Sequence, residues 1–273
     1  MSELEDGNSS DSSFEVVSEY DDSSSDDSLA SQPAAGVEPS ENSDTSFADI
    51  LTFGDSLTQG FYYGGLRMHP YSTQLQVRID SRVAELRSRS RSNSEQKCIV
   101  KEYGLSGENT SHMTNRLRFL LERDHRYKIV CILGGTNDLG RVVPDTALDV
   151  WDNLANMYDM TLAYDPHTIL AAITIPQSRC MEPEYIESRS IINQEIREYC
   201  ALAAADAGAD QQSRNRVVLV DFEQALPYRL QHNEIDEDHW DDALHMTPQG
   251  YDALGDLIYN RLSAHIDNII NKT

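Results

Sequence analysis

Five short, mostly apolar runs, each followed by a longer segment with helical spacing, constrain this chain more than any other feature. The runs are Ala48–Phe53, Lys97–Tyr103, Lys128–Leu133, Thr168–Ile175 and Val217–Phe222. Several are nearly continuous in apolar, often β-branched residues, which suits parallel strands buried on both faces. Between them the spacing predicts helices. Residues 71–88 place Leu75, Ile79, Val83 and Leu86 on one face, and residues 113–124 carry Leu117, Leu120 and Leu121. Residues 145–163 carry Leu148, Trp151, Leu154 and Met157, and residues 188–206 carry Ile191, Ile192, Ile196 and Leu202. A last helix is expected from Pro248 to Ile270, with Thr247 as N-cap and Pro248 at its first position. Strand and helix alternating in this way predict an α/β fold, a three-layer αβα sandwich around a five-stranded parallel sheet with right-handed crossovers.

The first 47 residues stand apart from this pattern. They hold 13 Asp or Glu, no Lys or Arg, many serines and few apolar residues. Such a segment cannot bury enough apolar surface to offset its ordering entropy. Residues 1–47 are therefore expected to be a disordered acidic tail, and residues 48–273 the folded domain. That domain is still acidic, with all 22 basic residues set against 33 of the 46 acidic ones. Its charge argues against a nucleic-acid binder, which needs a basic face for phosphates. Cys98, Cys131, Cys180 and Cys200 have no metal or redox spacing, and Cys98 and Cys131 read as buried free thiols. The opening "MSELEDGNSS" lacks the basic and apolar regions of a signal peptide, and no 18-residue apolar run occurs. A cytoplasmic protein without a transmembrane segment is expected, with the nucleus as the alternative compartment. No cofactor and no metal are expected.

In an open parallel sheet the working site lies beyond the C-terminal ends of the strands. The five predicted strands are followed by Gly54-Asp55-Ser56, "GLSGENTS" (104–111), "GGTNDLG" (134–140), "PQSRCMEPEY" (176–185) and "HWDDALHMTPQGY" (239–251). Serine chemistry requires a hydroxyl at an exposed turn, a base, an acid to orient the base, and donors for the developing oxyanion. Ser56 supplies the hydroxyl and His245 the imidazole. Asp242, three residues before His245, meets it within one loop. Backbone N–H groups after the strands, with Asn137, are candidate oxyanion donors. Alone, Gly54-Asp55-Ser56 would read as a turn. Asp55 and Asp138 read as structural hydrogen-bonders.

His239 competes with His245, because Asp236 precedes it by the same spacing. His245 is favoured because Met246, Thr247 and Pro248 lead straight into a long helix, a rigid support that His239 lacks. The acidic run "NEIDEDHWDD" has oxygen ligands for Ca²⁺ but no EF-hand pattern, so a solvated loop is expected. "LRSRSRSNS" (86–94) reads as a solvated helix end, where cations complement the dipole. An α/β-hydrolase is set aside because no Gly-x-Ser-x-Gly occurs.

Taken in order, Gly54-Asp55-Ser56-Leu57, Gly107, Gly135-Thr136-Asn137-Asp138 and Asp242-x-x-His245 resemble the blocks of the GDSL, or SGNH, hydrolase family. Ser56, Gly107, Asn137 and His245 match its four letters, and the resemblance runs from about residue 48 to 265. It implies a flavodoxin-like sandwich with strand order 2-1-3-4-5. It also implies an esterase or lipase that forms an acyl-enzyme on Ser56, with His245 as base then acid and Asp242 as its orienter. The implied oxyanion hole is the N–H of Ser56, the N–H of Gly107 and the side-chain amide of Asn137. Gly104 is a rival to Gly107, although Ser-Gly-Glu-Asn fits the family block better at Gly107.

The loop after Ser56 holds Phe61, Tyr62, Tyr63, Gly64, Gly65, Arg67 and His69. Its aromatics either line an acyl or aryl pocket or cover the helix entry. Tyr62, Tyr63 and Arg67 are the candidate substrate-binding residues. Short loops favour a short-chain or small soluble acyl ester as the small-molecule partner. A lysophospholipid and an acyl-thioester are the alternatives, and a catalytically silent scaffold is the reading from another class. In the tail, Phe14-Glu15-Val16-Val17 resembles peptides that add a strand to ubiquitin-like modifiers, which makes Phe14–Val17 a candidate protein-binding segment.

Overall fold

The computed structural model describes residues 49–89, 97–123, 127–140, 146–205, 216–228 and 235–272. The expectations for the tail, including Phe14–Val17, and for the end of the 86–94 stretch lie outside the described residues. The described residues all fall within the unit Thr45–Thr273. The elements in chain order are β1 (Ile50–Gly54), α1 (Ser56–Gln59), β2 (Phe61–Tyr62), β3 (Arg67–Met68), α2 (Tyr71–Arg89), β4 (Val100–Gly104), α3 (Thr110–Arg123) and β5 (Ile129–Leu133). They continue with α4 (Thr136–Leu139), α5 (Thr146–Tyr164), β6 (Ile169–Ile173), α6 (Pro183–Ala205), β7 (Val217–Val220), α7 (Phe222–Ala225) and α8 (Pro248–Lys272).

The sheet has five strands in the order β4-β1-β5-β6-β7, and every neighbouring pair is parallel. Counted along the chain this is the order 2-1-3-4-5. Because side chains alternate along a strand, each strand feeds two cores. Leu51, Phe53, Val130, Ile132, Leu170 and Ala172 pack with Met113 and Leu117 of α3, Leu154 and Met157 of α5, and Ile192 and Ile196 of α6. Ile50, Cys131, Leu133, Ala171, Ile173 and Val220 pack with Leu75 and Ile79 of α2 and Leu254, Ile258 and Leu262 of α8. The sheet is covered on both faces, as continuous apolar strands require. Among the described residues no helix is long and apolar enough to cross a membrane.

Three residues placed on buried helix faces by their spacing point outward instead. Leu148, Ile191 and Leu202 are all exposed. In α5 the buried stripe runs through Ala147, Val150, Leu154 and Met157, one position off Leu148. In α6 it runs through Tyr185, Arg189, Ile192 and Ile196, so Ile191 lies beside it on the helix. The strand predicted to reach Phe222 ends at Val220, and Asp221 caps the short helix α7 by accepting from Gln224 N. Helix α3 starts at Thr110 rather than Met113, because Asp138 from another loop receives the Thr110 N–H. Thr247 caps α8, its Oγ1 accepting from Gly250 N at 3.1 Å.

Strand register positions the functional rim. Gly54 lies level with Gly104 on one side and with Leu133 on the other. The chain therefore leaves β1, β4 and β5 at the same height, side by side.

Candidate active site

β1 ends in glycine for a steric reason. A Cβ at Gly54 would sit 2.2 Å from Thr58 Oγ1 and 2.3 Å from Leu133 O. Asp55 then caps α1, its Oδ1 accepting the N–H of Leu57 at 2.9 Å. Ser56 is the first residue of that helix and lies 4% exposed at the rim.

His245 meets it from the loop before α8. Its Nε2 lies 3.1 Å from Ser56 Oγ, and its Nδ1 lies 2.9 Å from Asp242 Oδ2. The other Asp242 oxygen accepts the N–H groups of Leu244, at 2.7 Å, and His245, at 2.6 Å. Partial burial opposes ionisation of Asp242, but these hydrogen bonds from His245 and Leu244 outweigh it and hold the carboxyl below its ordinary range. An ionised carboxylate only accepts, so His245 Nδ1 carries the proton and Nε2 presents a lone pair to Ser56. The serine hydroxyl is thereby placed to lose its proton to the imidazole.

Asn137, in α4, donates from Nδ2 to Glu108 O at 2.9 Å and reaches Asp55 Oδ2 at 3.4 Å. Its amide thus stands between the turn after β4 and the residue before Ser56. Gly107 sits in that turn at φ +78°, with nothing within 4 Å of where a Cβ would be. The turn is closed by Glu108 N to Leu105 O at 3.2 Å and tied to α1 by Ser106 N to Gln59 Oε1 at 3.1 Å. Gly104, the rival, lies inside β4 against Gln59 N and Asp55 O, where even a methyl would clash. Asp55 is fully buried, and burial pushes its carboxyl up to about 7 despite the Leu57 hydrogen bond, with Asp138 and Glu108 adding to the effect. Asp138 accepts both the N–H and the hydroxyl of Thr110 and so fixes the start of α3.

His239 forms its own pair, Nδ1 to Asp236 Oδ2 at 2.7 Å, while the approach to Ser56 belongs to His245. Among the described residues no group of three metal-ligating side chains comes together. The β2–β3 hairpin flanks the histidine. The Phe61 ring lies 4.9 Å from the His245 ring, and Tyr63 N donates to Asp241 Oδ2 at 2.7 Å. Tyr62 packs against the core beneath the hairpin, whereas Arg67 stacks 5.4 Å above the exposed Tyr63 ring. Sequence reasoning did not pair Phe61 with His245, since a separation of 184 positions hides it.

A cleft of about 480 Å³ lies along the histidine loop, its lining reaching the chain neighbours of Asn137 and His245 but not Ser56, Asn137 or His245 themselves. Thr136, Leu139, Gly140, Ser178, Cys180, Glu182, Glu184, Tyr185, Ala243 and Leu244 line it, and Tyr62, Tyr63 and Arg67 do not. Its far wall is the loop after β6, tied to the histidine loop by Arg179 N to Ala243 O at 2.7 Å. The rim position of that loop was readable from the strand order, but its pocket-forming residues were not.

The model of the GDSL-like Lipase/Acylhydrolase family matches residues 52–253. No curated protein matches the chain significantly. Among solved structures, the family 3 carbohydrate esterase of Clostridium thermocellum is similar at 18% identity and a TM-score of 0.52, covering 81% of this chain and 98% of that one. Est24, a carbohydrate acetylesterase from Sinorhizobium meliloti, is similar at 17% identity and a TM-score of 0.51, covering 80% and 99%. The psychrotrophic esterase EstA from Pseudoalteromonas sp. is similar at 19% identity and a TM-score of 0.53, covering 80% and 98%. At these identities the likeness is one of fold.

Proposed function

The chain belongs to the GDSL-like lipase/acylhydrolase family and is an ester-bond hydrolase, and on that premise we propose that it cleaves small carboxylic acyl esters through an acyl-enzyme on Ser56. The observation that carries the reading is the relay Ser56 Oγ–His245 Nε2 at 3.1 Å and His245 Nδ1–Asp242 Oδ2 at 2.9 Å. His245 takes the serine proton as Oγ attacks the acyl carbon, then returns a proton to the leaving alcohol. A water activated by the same imidazole releases the acid. The N–H groups of Ser56 and Gly107, with the Asn137 amide, receive the oxyanion of both tetrahedral intermediates. Asp242 keeps the imidazole in the tautomer that both steps need.

The cleft along the histidine loop supports a modest substrate group, since about 480 Å³ falls in the lower part of the range for small-molecule sites and its mostly apolar lining carries Glu182 and Glu184. A second reading, an amphiphile such as a lysophospholipid or a long-chain thioester, is favoured by the exposed apolar side chains Leu66, Met68 and Leu105 on the rim. One similar structure is named a carbohydrate esterase and another a carbohydrate acetylesterase, which adds esterified sugars, acetylated ones among them, to the substrates worth trying. The test is a panel of p-nitrophenyl esters of increasing chain length, with acetylated xylose and a lysophospholipid, on wild type and Ser56→Ala. Hydrolysis that peaks at short chains and is lost in the variant is the expected result. No turnover across the panel overturns the proposal.

A further inference from the structure

We propose that Arg116 is a positioning residue that holds the three oxyanion contributors in one frame, acting through Glu108. The inference rests on the role given above to Ser56, Gly107 and Asn137. Arg116 projects from α3 beneath the rim loops. Its Nη1 donates to Tyr103 O at 2.9 Å, near the end of β4, and its Nη2 donates to Gly54 O at 2.8 Å, the last residue of β1. Its Nε donates to Glu108 Oε1 at 3.0 Å and Oε2 at 2.8 Å, and Nη2 also bonds Oε2. The guanidinium lies 4.1 Å over the Phe53 ring, which fixes its plane from below.

Two of these partners, Gly54 and Glu108, lead to the three oxyanion contributors. Gly54 stands two residues before Ser56, and its carbonyl also accepts Leu105 N at 3.0 Å, so one acceptor joins both strand ends. Glu108 follows Gly107 directly, and its amide closes the turn that aims the Gly107 N–H. The carbonyl of the same Glu108 accepts Asn137 Nδ2 at 2.9 Å. Glu108 therefore holds the Gly107 turn with its main chain, the Asn137 amide with its carbonyl, and Arg116 with its carboxylate. The pair is sheltered, with side-chain exposure of 21% for Arg116 and 7% for Glu108.

Stability alone gives a poor account of this arrangement, because a sheltered ion pair is often no better than apolar residues of the same volume. A planar fork satisfied on three sides fixes geometry instead, which a lysine ammonium cannot reproduce. Oxyanion donors act in the transition state, and misplacing them by about 1 Å costs roughly 10²-fold. The loss should fall on kcat with KM nearly unchanged.

The experiment compares wild type, Arg116→Lys, Arg116→Ala and Glu108→Gln on p-nitrophenyl acetate. Thermal melts are run alongside, with inhibition by an alkyl boronic acid as an oxyanion mimic. The expected result is a fall in kcat of roughly 10²-fold in Arg116→Ala with little change in KM. Boronate affinity should drop in step, and Arg116→Lys should recover little of either. Glu108→Gln keeps the shape and the carbonyl, and provides the reading where an Arg116 variant fails to fold. A lowered melting temperature with unchanged kcat and boronate affinity overturns the inference. So does a rise in KM alone. An inactive wild type would instead overturn the proposed function, which separates the two failures.

Discussion

The Oγ of Ser56 and the Nε2 of His245 lie 3.1 Å apart across 189 positions of sequence. The approach is built from both sides. Gly54 ends β1 level with β4 and β5, and the histidine loop closes on itself through Asp241 N to His245 O at 2.9 Å. Under the proposed mechanism, Ser56→Ala and His245→Ala each lower kcat on p-nitrophenyl acetate by roughly 10⁴–10⁶-fold, and the double variant is little worse than either. Asp242→Asn loses the tautomer control and costs up to about 10⁴-fold. Steady-state kinetics decides, and near-wild-type turnover by Ser56→Ala would remove it as nucleophile.

Asp55 links the site to pH through stability. Its ordinary value is 3.8, and burial raises it to about 7 in the folded chain. Between those values the folded state keeps a proton that the unfolded state has released, so rising pH lowers stability. The loss is complete above about pH 7 and is of the order of 4 kcal/mol. Asp55→Asn keeps the acceptor for Leu57 N and removes the titration. Urea unfolding of wild type should weaken from about pH 4 to 7 relative to Asp55→Asn, with a constant gap above that. Parallel pH profiles for the two proteins would rule out a proton on folded Asp55.

The sheet was legible in the sequence because a central parallel strand must be apolar on both faces, which only a few runs in this chain satisfy. The rim followed from topology, since Ser56, Gly107 and Asn137 each come just after such a run. Helix faces were less legible. Leu148 sits beside Ala147, and Ile191 beside Ile192, and spacing alone does not say which member of such a pair turns inward. Least legible was Arg116, whose partners at Gly54 and Tyr103 are neighbours only after β1 and β4 pair. Seen along α3, Arg116 is one more cation on a mostly polar surface. The hairpin was ambiguous for a similar reason. Whether its aromatics face the cleft depends on Asp241 holding Tyr63 N, a contact made from the far end of the chain.

Gly107 offers a test of a main-chain donor. Its φ of +78° is strained for most side chains, yet nothing within 4 Å blocks a Cβ. Gly107→Asn should therefore fold and retain more activity than Gly107→Val, because Asn tolerates the left-handed region and a β-branched residue does not. The backbone cost for Val is about 1–2 kcal/mol in stability or a rotated peptide, and a rotated peptide withdraws the N–H from the oxyanion. Paired melts and kcat values on both variants check this. Equal activity for Asn and Val would mean that the Gly107 N–H is not a donor.

The exposed apolar rim separates the two substrate readings. Leu66 is 79% exposed and Met68 47% exposed on the hairpin that contacts His245 through Phe61. Neither side chain touches the nucleophile, so the double variant Leu66→Ser/Met68→Ser should leave hydrolysis of soluble p-nitrophenyl acetate unchanged. If aggregated amphiphiles are substrates, both side chains enter the apolar layer when the enzyme meets it. Full burial of one such side chain is worth about 1.5–3 kcal/mol, so partial burial of the two predicts a loss of about tenfold on a lysophospholipid above its critical micelle concentration. Rates on the lysophospholipid below and above that concentration make the comparison within one substrate. A loss confined to the micellar range supports the amphiphile reading. An unchanged micellar rate favours small soluble esters, and an equal loss on acetate would mean that the hairpin shapes the reacting site itself.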